Sequence, residues 1–227
     1  MTFPLFRAIA DHGVLVEFGD HIDDAIHATA VAFDRRISNS NILGLTESVP
    51  SYAAVLVGYD PLVTDYDTIC TALKPLLNIH EERSLTSSQN WEIPTCYDAK
   101  YATDKAEIED RLNLSIEQIA RFHAASTYKV YMYGFSPGVA YLGGTPAPIQ
   151  VPRKPGPVMG IPAGAVMIAG PQSLIYTVTM PSGWWRIGQA AKTPLQDDPD
   201  RPFLFNVGDT VRFKPVTLDE FEAYPPL

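Results

Sequence analysis

The chain has 227 residues, 46% hydrophobic and 19% charged, enough apolar material for one large domain or two modest ones. Its net charge of −9 excludes the basic surface that would hold nucleic acid or an anionic membrane face. No apolar run approaches the roughly 20 residues of a membrane span, and MTFPLFRAIADHG lacks the charged-then-apolar order of a secretory leader, so the expected location is the cytoplasm.

In chain order, RAIADHGVLVEFG ends in an extended apolar stretch, residues 14–18, which predicts a strand. IDDAIHATAVAFDRRI places Ile22, Ala25, Ile26, Ala30, Phe33 and Ile37 at helical spacing. SYAAVLVGYD predicts a second strand, and TDYDTICTALKPLL a second helix with Thr64 or Asp65 as its N-cap. Strands and helices thus alternate over residues 1–80, as in a ferredoxin-like α/β sandwich. HEERSLTSSQN is charged and Ser-rich, which predicts a linker over 81–90.

Residues 91–227 read differently, and the whole chain is therefore α+β. WEIPTCY predicts a strand, followed by two helices. Asp104 with Glu107 would cap the first, and Ser115 with Gln118 would form a capping box on the second. Ile116, Ile119, Ala120 and His123 share one face of that second helix. His123 therefore points inward or to a pocket edge, which fits a satisfied buried histidine as well as a catalytic one. YKVYMYGF, AVMIAG, SLIYTVTM, WWRIG and DTVRFKPV are short strand-like runs divided by turn residues, the pattern of a β-barrel. In YKVYMY, Tyr131 and Tyr133 are expected on one strand face and Tyr128 on the other. The two cysteines, Cys70 and Cys96, carry no metal-ligand spacing and read as structural thiols, so no metal site is expected.

Gly134-Phe135-Ser136-Pro137-Gly138 matches the G-x-S-x-G elbow of serine hydrolases, but the chemistry fails. The residue after the serine must donate a backbone N–H to the oxyanion, and Pro137 has none. The five histidines all precede Ser136, whereas that fold places its base afterwards. Ten of the fifteen glycines and nine of the twenty prolines fall in residues 134–188, too many for the helix an elbow requires. Three stretches there carry residue types that are costly without a purpose. GFSPGVAYLGG allows tight turns and close approach of a ligand to main chain, with Phe135 and Tyr141 alongside. VPRKPGPVMGIPAGAVMIAG holds Arg153 among prolines, where it has little freedom to lose on gripping a carboxylate or phosphate. In PSGWWRIG the adjacent Trp184 and Trp185 must face opposite sides of a strand. Walker-type and dinucleotide glycine loops are both missing, as is a biotin-bearing Met-Lys-Met.

RFHAASTYKVYMYGFSPGVAYLGG, VPRKPGPVMGIPAGAVMIAG, QSLIYTV and PSGWWRIG together resemble the allophanate hydrolase subunit 1 family. That family includes the B subunit of 5-oxoprolinase, an inhibitor of a sporulation histidine kinase and the first half of the urea carboxylase carboxyltransferase domain. The resemblance implies a cyclophilin-like barrel after the ferredoxin-like domain. It also implies a cleft shared with subunit 2 of the same family on another chain, with or without a third, large subunit. His123 would be the acid/base and Arg153 the carboxylate clamp. Phe135, Ser136, Pro137, Gly138, Tyr141, Gly164, Gln172, Tyr176 and Trp184 would line the substrate site. The implied activity is ATP-dependent opening of 5-oxoproline to glutamate by a subunit inactive alone. No cofactor would be held by this chain itself. ATP would enter through the complex, and biotin only if the chain is instead a carboxyltransferase half. A further alternative is a non-catalytic inhibitor of a sensor kinase. Val158 and Gln189 stand where the family commonly has arginines, and Ser182 stands at the first glycine of its G-G-W.

Overall fold

The computed structural model describes residues 2–78 and 88–227, which fall into two compact units. Residues 81–87 of the expected linker lie outside the described residues, and Asn90, at its end, already opens a strand.

The first unit runs β1 (Leu5–Ile9), β2 (Gly13–Glu17), α1 (Asp24–Ser38), β3 (Leu45–Pro50), β4 (Ala54–Tyr59) and α2 (Tyr66–Leu73). Each helix starts where an aspartate takes up otherwise unpaired N–H groups. The Asp23 carboxylate accepts from Ala25 and Ile26 at 2.8 and 3.0 Å, and Asp65 from Thr68 at 2.8 Å. The strands form an antiparallel sheet in the order β1-β2-β4-β3. Val14 sits opposite Val57 and Val16 opposite Val55, so one face presents four valines to Ala30, Phe33 and Ile37 of α1 and to Ile69 and Leu73 of α2. A one-residue slip would turn all four valines out of the core, which fixes the register. Strand β4 lies between β2 and β3, the split βαβ arrangement. The edge beside β2, which a ferredoxin-like unit fills with a strand following its second helix, is filled here by the N-terminal β1.

The second unit runs β5 (Asn90–Cys96), α3 (Lys105–Leu112), α4 (Ile116–Ala125), β6 (Tyr128–Tyr133), β7 (Ala140–Gly143), β8 (Val158–Ile161), β9 (Ala165–Ala169), β10 (Gln172–Ile175), β11 (Met180–Ser182), β12 (Trp185–Ala190), β13 (Thr210–Pro215) and α5 (Leu218–Glu222). Seven of these strands close into a barrel in the order β10-β7-β6-β13-β5-β12-β9, while β8 and β11 pair as a separate ribbon. Closure leaves no open barrel edge for another chain to extend.

Alternate residues of the barrel strands divide between two apolar clusters. Ile93, Val130, Leu142, Ile168, Ile175, Trp185 and Phe213, one from each strand, meet in the lumen with Ile108 of α3 and Ile119 of α4. Ala165, Met167 and Ala169 of β9 turn outward with Leu174, meeting Ile161 and Met180 of the ribbon. Each large side chain so buried is worth about 1.5–3 kcal/mol. A bulge in β6 between Val130 and Met132 corrects one expectation. Tyr133 packs against the lumen cluster that contains Tyr128, and Tyr131 is not part of that cluster, so alternation does not hold the three tyrosines in the expected sets.

The capping box at Ser115 and Gln118 forms as anticipated. Asp104 occupies the N-cap position of α3 but makes no capping bond. Its Oδ2 instead accepts from Lys154 Nζ at 2.6 Å and from the Arg186 N–H at 2.7 Å.

Candidate functional site

The loop carrying Arg153 is pinned on both sides. The Trp185 indole donates to the Pro152 carbonyl at 2.7 Å, and Lys154 N–H donates to the Gly183 carbonyl at 2.8 Å. Lys154 then runs inward to Asp104, with its ammonium 5.0 Å from the Trp185 ring centre. Arg153 therefore goes outward, and its guanidinium lies 5.5 Å from the centre of the Trp184 ring. The neighbouring tryptophans split as their alternation requires: Trp185 fills the lumen and Trp184 joins the outer cluster. Arg153 is exposed, and no carboxylate of the described residues pairs with it.

Around Trp184 the outer face is aromatic. Tyr141 meets it edge-on at 6.0 Å, and Tyr176 stacks at 6.5 Å with Phe135. The Tyr176 hydroxyl donates to Ser182 Oγ at 2.7 Å, and the same Oγ accepts the Trp184 N–H at 3.0 Å. Ser182 thus ties two walls of the cluster together. Its place at the first position of G-G-W was the signal available for it in the sequence. Burial raises both phenols, Tyr141 and Tyr176, while the Arg153 guanidinium acts in the opposite direction on each.

The 134–139 segment joins β6 to β7 as a strand–turn–strand connection, so the elbow geometry of a serine hydrolase is absent there. Ser136 N–H donates to Gly134 O at 2.8 Å across Phe135, whose φ is +69°. This is a γ-turn of the strained, positive-φ kind, rare for a bulky residue. It leaves the Phe135 ring 68% exposed. The Pro137 carbonyl accepts from Thr177 Oγ1 at 2.8 Å, which fastens the loop to the segment that follows β10 and bears Tyr176. Gly138, at φ +74°, is buried against Leu195, where a Cβ would lie 2.8 Å from the leucine's own. Beside this loop's partners, Val158 of β8 lies across from Ser182, and Met159 is 74% exposed.

Three expected site residues lie elsewhere. Gln172 shares the outward face of β10 with Tyr176 but sits four residues, about 13 Å, along the chain. Gly164, at φ +78°, packs against Gln189 and Leu227 in a different cleft, touching the aromatic cluster only through its N–H bond to Tyr176 O at 2.7 Å. His123 is held apart from the cluster. It is 0% exposed inside the lumen, with Nδ1 2.7 Å from Tyr97 Oη and Nε2 2.9 Å from Ser173 Oγ. Phe213 and Tyr128 cover its faces at 4.3 and 4.9 Å between ring centres. Burial drives its pKa down to about 3, so the ring stays neutral and sealed from any cleft. A general base must reach its proton, and this one reaches only its own hydrogen-bond partners.

Gln189, where the family resemblance leads one to expect arginine, is itself buried. It accepts from Arg186 Nη2 at 2.7 Å and donates to Ala163 O at 2.6 Å. Sequence reasoning read Asp104 only as a helix cap and gave no role to Arg186 of PSGWWRIG or Thr177 of QSLIYTV, because their contacts are made with residues distant in sequence. Among the described residues no group of three or more side chains could hold a metal ion, and no helix is long and apolar enough to cross a membrane.

Residues 4–205 match the family described as Carboxyltransferase domain, subdomain C and D, and the chain belongs to that family. It is 32% identical over 232 residues to the B subunit of 5-oxoprolinase from Bacillus subtilis, covering 95% of this chain and 94% of that protein. It is 25% identical to a putative urea carboxylase of Emericella nidulans, covering 96% of this chain and 21% of that one. The crystal structure of TTHA0988 superposes with a TM-score of 0.79 at 30% identity, covering 95% of this chain but only 41% of the other.

Proposed function

We propose that this chain is the B-type subunit of a 5-oxoprolinase, contributing the substrate-holding wall of a cleft completed by a partner subunit. The observation that carries the reading is Arg153: a guanidinium fixed by its backbone, laid on Trp184 and left without a carboxylate among the described residues. Such a fork binds a carboxylate through two parallel hydrogen bonds. 5-Oxoproline offers one carboxylate on a flat lactam ring, and the half-buried Tyr141, backed by the buried Trp184 and Tyr176, supplies a matching apolar wall. The 32% identity to a protein named as that subunit supports the same substrate.

Ring opening breaks the lactam C–N bond; water supplies the hydroxyl to the carbonyl carbon and a proton to the nitrogen, giving glutamate. ATP, held by another part of the complex, would be hydrolysed by a second water to ADP and phosphate, and that cleavage would drive the opening. The chain's own part is to orient the carboxylate on Arg153 and exclude water from one ring face with the aromatic wall. With His123 sealed in the lumen, we assign proton transfer to groups of the partner. Exposed Phe135 and Met159, beside the cluster, are the apolar anchors we assign to that partner.

The test is glutamate formation from 5-oxoproline and ATP, assayed with the chain alone, with its co-purifying partner added, and with both omitted. Activity only in the combined sample supports the reading. Turnover that requires a biotinylated carrier instead would favour the carboxyltransferase half, the reading to which the Emericella nidulans relative points.

A further inference from the structure

We infer that Asp104 and Lys154 are positioning residues, a buried ion pair that holds the Arg153 guanidinium where a substrate carboxylate meets it. The inference rests on Arg153 being the carboxylate clamp. Lys154 Nζ lies 2.6 Å from Asp104 Oδ2, and the two side chains are only 7% and 13% exposed. Taking two charges out of water is expensive, and a neutral pair of like volume is often just as stable. Asp104 also forgoes its own helix, standing at the N-cap of α3 without making the capping bond that aspartate there usually supplies. The geometry that the pair fixes, rather than any stability it adds, accounts for it.

What it fixes is one residue. The Trp185 indole holds the Pro152 carbonyl on one side of Arg153, and the Gly183 carbonyl holds the Lys154 N–H on the other. Two cations lie over the Trp185 ring, the Lys154 ammonium and the Arg111 guanidinium of α3, each 5.0 Å from its centre. Asp104 Oδ2 accepts from both the Lys154 ammonium and the Arg186 N–H, so one carboxylate joins the loop to β12. Arg153 is the exposed residue between these fixed points. Its guanidinium lies 5.5 Å from the ring centre of Trp184, two residues before the N–H that Asp104 holds. The pair thus ties the clamp and its aromatic platform to α3 together. Without it the loop keeps its two backbone bonds but loses the side-chain tie, and a bound carboxylate must then order Arg153 itself.

The test replaces the ion pair by a neutral pair of like volume, Asp104→Asn with Lys154→Met. The double variant should melt within a few degrees of the native chain, whereas Lys154→Met alone, which strands a buried carboxylate, should melt lower. In ¹⁵N relaxation of the full chain, the order parameter of the Arg153 Nε–H should fall in the double variant. In the complex reconstituted with the co-purifying partner, KM for 5-oxoproline should rise about three- to tenfold, with kcat held within about twofold. Added to Arg153→Ala, the same two substitutions should raise KM no further, because the pair acts through Arg153. An Arg153 as ordered as in the native chain overturns the positioning role. So does a native KM in the double variant when Arg153→Ala alone raises it, or a further rise on the Arg153→Ala background; each leaves the clamp standing. A native KM in Arg153→Ala overturns the clamp, and the positioning role with it.

Discussion

At the residue scale, His123 shows how burial decides what a side chain can do. The unfolded chain protonates this imidazole near 6.5, whereas the folded ring resists protonation until about 3. Its contribution to stability is therefore complete above pH 6.5 and is lost as pH falls, at about 1.4 kcal/mol per pH unit, until about pH 3. We expect His123→Gln to be less stable at neutral pH by about 1–3 kcal/mol, having lost well-formed bonds to Tyr97 and Ser173. Its stability should also fall less steeply than the native chain's on acidification, which urea unfolding across that pH range would show. The helix periodicity placed His123 on an inward face correctly. It could not say whether that face met a pocket or the sealed lumen, because the answer lies in Ser173 and Phe213, 50 and 90 positions away in sequence. Val158 offers the converse test. It lies across from Ser182, so Val158→Arg sets a second guanidinium beside the cluster. On an exposed ribbon the gain should be about 0.5–1 kcal/mol, read as a two- to fivefold lower KM for 5-oxoproline in steady-state kinetics.

At the element scale, the turn between β6 and β7 combines strain with exposure. Phe135 at φ +69° costs of order 1–3 kcal/mol, and a ring left mostly exposed beside Tyr176 returns little of it to the folded monomer. Phe135→Gly should leave the melting temperature unchanged or slightly higher, since glycine takes that φ freely. It should weaken association with the partner about tenfold, measured by titration calorimetry, as loss of an aromatic anchor does. Gly138→Ala should act oppositely, destabilising the chain by about 1–3 kcal/mol through the clash with Leu195. Thermal unfolding of the two variants side by side separates a glycine kept for the fold from an aromatic kept for binding. Much of this element was legible in the sequence, because glycine and proline at fixed offsets demand a turn. The β6 bulge was not, since alternation is read from the pattern that a bulge breaks. Strand β1 also escaped, its LFRAI carrying too little alternation to stand out. The capping box at Ser115 was read correctly because its bonds are local, whereas Asp104 was drawn off its cap by Lys154, 50 positions along the chain.

At the scale of the molecule, the closed barrel makes an outward-facing site possible. Seven strands fill the lumen with apolar side chains, and the alternate residues of β9 and β10 are thereby forced outward as a second cluster, which Trp184, just before β12, joins. The ribbon β8–β11 covers part of that cluster, and Arg153 and Phe135 remain open beside it. The central claim is that Arg153 holds the substrate carboxylate. The most direct measurement is the KM for 5-oxoproline of the reconstituted complex carrying Arg153→Ala, with circular dichroism confirming an unchanged fold. The account predicts a rise of about 10- to 100-fold in KM, the worth of one charge-assisted fork, with Arg153→Lys falling between. A KM equal to that of the native complex would contradict it.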